Sequence, residues 1–159
     1  MSIITPMPIS RAFNACILTM ANRLFPAGYD VSDKAPDTLE SLTDHINSTG
    51  RMLVWNGASG ATIFADPEVN WAFRAWHDFH HWKGQFAFDR EGELKCLTAQ
   101  QADVLKVYGP GPLSDLFCHL LECEIAGQLD HEETYGEFPA DQVEFTRQWF
   151  AGRGLQLAA

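Results

Sequence analysis

Four side chains able to bind a metal or move a proton, His77, Asp78, His80 and His81, fall within five positions of the stretch DPEVNWAFRAWHDFHHW, Asp66 to Trp82. If this stretch is helical, His77 and His81, four residues apart, project from one face. That is a spacing at which two neutral imidazoles can bind one divalent ion. His80 falls nearer the apolar stripe of Val69, Phe73 and Trp76 and is the weaker candidate. Asp78 stands where it could orient a ligand imidazole.

A second polar constellation lies further along. Leu113, Leu116, Phe117, Leu120 and Leu121 form an apolar stripe that continues as Glu124, Gln128 and His131, at steps of four and three. Buried polar groups must find partners, and a metal is one such partner. A helix over 114–131 packed against one over 67–82 would bring Glu124 and His131 toward His77 and His81. These four residues are the candidate metal ligands, with Zn or Fe favoured and Mn or Ni also compatible. Glu93 could add an oxygen or act as a general base, and Gln128 could orient a ligand. Arg74, three residues before His77, could bind an anionic substrate, or could pair with Glu68, Asp78 or Glu124.

Other chemistries lack support. There is no H-E-x-x-H, no EF-hand loop and no Cys-rich zinc framework. The paired Glu-x-x-His of di-iron bundles is missing, and His119-x-x-Glu122 runs in the reverse order. Cys118 and Cys123 sit among apolar residues, where thiols are inert. No G-x-S-x-G elbow occurs, and the prolines of Gly109-Pro-Gly-Pro remove the N–H groups a phosphate would need.

The elements that must position these residues follow from caps and periodicity. Asp66 and Pro67 start the central helix, and Gly84 stands where it should stop. Its tryptophans, Trp71, Trp76 and Trp82, suit a core better than a stacking platform. Ile9 to Phe25 repeats apolar residues at helical spacing, and Asp37 with Glu40 opens a further helix that Gly50 closes. Arg51–Trp55 and Ala61–Phe64, around Asn56-Gly57, predict a hairpin. Phe86–Phe88 and Glu93–Cys96 are a second hairpin or an ordered loop. Helices are expected from Thr98 to Val107, from a Ser114 cap to about Asp130, and from Pro139 to Gly152. The expectation is a mainly α, single-domain bundle of about six helices with one or two small hairpins, an N-terminal arm over 1–8 and a C-terminal tail over 151–159.

The totals fit one globular domain. The chain has 159 residues with 46% hydrophobic content, enough for a single core. Its net charge of −10, from 21 acidic and 11 basic residues, disfavours nucleic acid and anionic membranes as partners. Cys16, Cys96, Cys118 and Cys123 include no C-x-x-C. With neither a secretory signal nor a membrane-length apolar run, the expected setting is cytoplasmic with reduced thiols.

The run VNWAFRAWHDFHHW, continued by Phe88 to Glu93, resembles a motif of small proteins encoded in phage and prophage genomes. The resemblance covers residues 66–95. It implies a viral origin and a host cytoplasm, and it carries no catalytic residue across. Two functions are therefore open. One is a metal-dependent hydrolase or non-haem iron oxygenase acting on a small molecule. The other is an acidic phage protein that binds and inhibits a host protein. Packing of the aromatic helix would make a homo-oligomer.

Overall fold

The computed structural model describes residues 6–157. It is mainly helical, in the order α1 (Arg11–Leu24), β1 (Asp30–Ser32), α2 (Leu39–Thr49), β2 (Leu53–Trp55), α3 (Pro67–Gly84), α4 (Arg90–Tyr108), α5 (Pro112–Glu122), a π turn (Cys123–Gly127), α6 (Gln128–Tyr135) and α7 (Gln142–Gly152). The helix through α5, the π turn and α6 is continuous. Among the described residues, no helix is long and apolar enough to cross a membrane.

α3 is the centre of the packing. Asp66 caps it by accepting from Glu68 N at 2.9 Å, and Pro67 fills the first position, as its sequence implies. One flank of α3 enters the main core with Val69, Phe73 and Trp76, against Phe13 and Ile17 of α1 and Phe117 and Leu120 of α5. The other flank, with Ala75, Trp71 and Trp82, closes over Leu42, Met52 and Val54. Trp76 is completely buried, so truncating it to alanine should cost about 3–5 kcal/mol.

The strands correct the hairpin expectation. Leu53–Trp55 pairs in parallel with β1, Asp30 against Leu53, through a crossover that contains α2. Ala61–Phe64 forms no strand; Ile63 O instead accepts from Ile9 N, and Ile63 and Phe64 plug the core. A parallel partner is distant in sequence, so local turn signals cannot find it.

Helix boundaries also differ: α2 is capped by Thr38 with Ser41, where Asp37 with Glu40 was the expected pair, and α7 starts at Gln142 behind the Asp141 cap, not at Pro139. The Phe86–Cys96 segment is no hairpin: Asp89 accepts from Gly92 N at 2.8 Å and starts α4 at Arg90. Ser114 lies inside the first turn of α5 and donates to the Gly109 carbonyl, while Pro112 opens the helix. α3 ends with Gln85, not Gly84, in the left-handed conformation at φ 53°. The Phe86 ring lies over Gly84, where a Cβ would collide with it. Of the expected tail, residues 151 and 152 belong to α7, and Leu155 and Leu157 pack on the core. The first five residues of the expected arm and the last two of the tail lie outside the described residues.

Candidate metal centre

The site forms between α3 and the first half of α4. His77 and His81 project one turn apart from α3, and their Nε2 atoms are 3.1 Å from each other. Glu93 of α4 reaches both: Oε2 is 2.7 Å from His77 Nε2, and Oε1 is 3.2 Å from His81 Nε2. Donors around a four-coordinate zinc, at bond lengths of about 2.0–2.1 Å, stand roughly 3.3 Å apart. Cys96, one turn beyond Glu93, completes the group. The ligand atoms of His77, His81 and Cys96 all lie within 4.8 Å of one another and could hold a metal ion.

The outer partners decide which nitrogens are free. The turn that ends α3 points the Phe86 carbonyl at His81 Nδ1, at 2.8 Å. A carbonyl only accepts, so Nδ1 carries the hydrogen and Nε2 presents a lone pair. Gln100, a further turn along α4, places its Oε1 2.7 Å from His77 Nδ1, with the same result. Two imidazole lone pairs and a carboxylate therefore converge. Three acceptors at this spacing repel unless a proton or a metal cation lies among them.

The ionisation of the group follows. Burial alone would raise the Glu93 carboxyl, but hydrogen bonds from His77 and His81, with their charges, bring it down to about 2. Burial also opposes the His77 imidazolium. The Glu93 contact outweighs it, helped by Asp78 and Gln100, and holds the His77 pKa above its usual value. Burial pushes the Cys96 thiol up, and the charges of Glu93 and Asp78 push the same way. In the absence of metal, Glu93 is thus the ionised donor and Cys96 a neutral thiol. Burial pushes the neighbouring Asp78 up to about 6, against the pull of His77 and His81.

A cavity of about 300 Å³ opens beside His77 and Glu93. Phe73, Phe88 and Ile125 give it apolar walls, and Glu124 lines it from the π turn. Burial pushes the Glu124 carboxyl up to about 8, although Gln128 Nε2 donates to it at 3.0 Å. π turns inside α-helices are frequent at functional sites. Arg90 fastens this wall to α4 through Asp130 and Glu133, at 2.9 and 2.7 Å.

Of the candidates read from the sequence, the structure brings together His77, His81 and Glu93, and it sets Glu124 on the adjoining cavity. His131 does not join them. Its Nδ1 bonds the Glu137 carbonyl at 2.9 Å, and its ring packs on Tyr135 and Phe145. The π turn is the reason, because its wider pitch takes residues after Gly127 out of the 3.6-residue phase that aligned Glu124 with His131. The helix facing His77 and His81 is α4, where the 114–131 helix was expected. His80 bonds Asp103 at 2.6 Å, an acid that also accepts from Trp76 Nε1. Arg74 makes none of the expected ion pairs; its Nη1 donates to the Trp55 and Gly57 carbonyls. Cys96 and Gln100 were not among the candidates. Glu93, Cys96 and Gln100 are spaced by three and four, a shared helical face that becomes visible once Asp89 is recognised as a cap.

No protein-family model, curated protein or solved structure matches the chain.

Proposed function

We propose that this protein is a metal-dependent hydrolase in which His77, His81 and Glu93 bind one divalent ion, zinc or iron. The observation that carries the reading is the convergence of the two Nε2 lone pairs on the Glu93 carboxylate, with both Nδ1 hydrogens already committed to Gln100 and Phe86. Two histidines one turn apart on a helix plus a glutamate form a donor set used by zinc hydrolases, where an acid directly after the first histidine serves as general base. Here that position is Asp78, one methylene shorter than glutamate. A divalent ion in such a site polarises a carbonyl and acidifies a bound water.

The chain supplies the rest. Glu93 and the imidazoles occupy one side of the site, and the cavity beside His77 leaves room for a substrate on the other. Phe73, Phe88 and Ile125 give that space apolar walls. Glu124, poised near neutral pH, can give a proton to a leaving group or accept one from an attacking water.

The test is elemental analysis of protein purified without an affinity tag or added metal. Near-stoichiometric zinc or iron, lost in His77→Ala/His81→Ala and in Glu93→Gln, is expected. Protein that stays empty after each metal is added back would overturn the reading.

A further inference from the structure

We infer that the substrate of this site carries a carboxylate, which Arg74 binds, and that its class is small amides of the N-acyl amino acid type. The inference rests on the hydrolase reading and adds the substrate to it.

Asn70, Arg74, His77 and His81 follow one another along α3 at steps of four, three and four, so they share one helical face. Arg74 is one turn from His77, about 4.5 Å along the helix axis. A second cavity, of about 430 Å³, lies along this stripe and is lined by Asn70, Arg74 and Gln128. Phe73, Glu124 and Phe138 line both cavities, so the two adjoin with Glu124 at the junction. The cleft thus has the metal centre at one end and a guanidinium near the other.

Arg74 is suited to hold an anion. It is half-buried, and no carboxylate lies within 4.0 Å of it among the described residues. All its protein hydrogen bonds there run through Nη1, to Trp55 O, Gly57 O and Ser59 Oγ. The Trp55 ring centroid lies 5.0 Å from the guanidinium carbon, a cation–π contact that helps hold the group in place. Nε and Nη2 remain, and one edge of a guanidinium bearing two donors matches the two oxygens of a carboxylate. A phosphate dianion would call for a second cation, and the described lining of this cavity has none.

The amides supply the second half of the match. Asn70 and Gln128 are buried, and each NH₂ group spends one hydrogen, on Ser59 Oγ and on Glu124 Oε1. Their oxygens are the acceptors left for an amide N–H. A carboxylate held by Arg74, an N–H beside these amides and a carbonyl at the metal centre are the groups of an N-acyl amino acid. Hydrolysis adds water across the C–N bond: hydroxyl goes to the acyl carbon and the proton to the departing amine.

The test compares N-acetylphenylalanine with its neutral analogue, N-acetylphenylalaninamide, by calorimetric titration of zinc-loaded and chelator-stripped protein. The carboxylate is expected to bind at least about tenfold more tightly than the amide in both forms, and Arg74→Gln should abolish the preference. If Arg74→Gln does not fold, Gln128→Leu supplies the second variant: it should weaken both ligands about equally and leave the preference intact. Equal binding of the two probes, or no binding of either, overturns the inference. Zinc stoichiometry measured on the same samples separates that failure from failure of the metal centre itself.

Discussion

Gln100 on α4 accepts a hydrogen bond from His77 Nδ1 at 2.7 Å, across 23 residues of sequence. It is fully buried, and its own Nε2 finds no partner among the described residues. A buried donor left unpaired costs free energy, so this residue is poorly explained by stability. Its effect is to fix the tautomer that turns His77 Nε2 toward Glu93. Gln100→Leu should weaken metal binding about 10–100-fold while changing stability by only about 1 kcal/mol, because the orphaned Nε2 leaves with the His77 acceptor. Chelator competition and urea unfolding on the same variant give the two numbers.

Cys96 tests which donors the metal takes. If Glu93 and not Cys96 is the third ligand, as proposed, the cobalt-substituted protein should show no sulfur-to-cobalt charge-transfer band. Cys96→Ser should retain its metal within about threefold of the original affinity. A strong band that disappears in Cys96→Ser, together with loss of metal in Glu93→Gln, would mean four protein ligands. A shell closed in that way is the mark of a structural site, and the hydrolase reading would fall.

Glu124 makes stability depend on pH. In the unfolded chain its carboxyl loses its proton near 4.5; in the folded protein burial holds the proton up to about 8. Its contribution to stability is therefore complete below pH 4.5, declines as pH rises toward 8, and is gone above that. Glu124→Gln removes the ionisation and keeps an acceptor for Gln128. The variant should match the parent protein near pH 5 and exceed it by about 1–2 kcal/mol at pH 9. Urea unfolding of metal-stripped protein at the two pH values checks this, and an unchanged difference would remove Glu124 from the buried carboxyls.

Gly92 sets the height of Glu93. It is buried at the first turn of α4, and a Cβ there would overlap the Ala87 carbonyl. Gly92→Ala has to push α4 away from the 85–89 turn, which also carries the Phe86 carbonyl that orients His81. The expected cost is about 2 kcal/mol or more, with metal affinity falling further than stability does. Thermal unfolding with and without bound zinc separates the two effects.

His131 provides the control. Held by the Glu137 carbonyl and the rings of Tyr135 and Phe145, it should be replaceable by alanine with metal content unchanged. Loss of metal in His131→Ala would return it to the ligand set.

The sequence by itself determined the mainly helical fold, because caps and 3.6-residue periodicity are local. Asp66-Pro67 starts α3, Trp76 faces the core, and the four-residue step from His77 to His81 puts both imidazoles on one face before any tertiary contact forms. What faces that pair was decided only in three dimensions. Gly92 near the start of α4 and the short apolar runs around it mask a helix whose cap, Asp89, is a single residue, so Glu93, Cys96 and Gln100 are hard to read as one face. The π turn breaks the phase on which Glu124 and His131 were aligned, since hydrogen bonding there spans five residues and periodicity assumes four. The parallel pairing of Asp30–Ser32 with Leu53–Trp55 likewise joins segments separated by a helix. Local propensity fixes which way side chains leave a helix; packing between distant segments decides which of them meet.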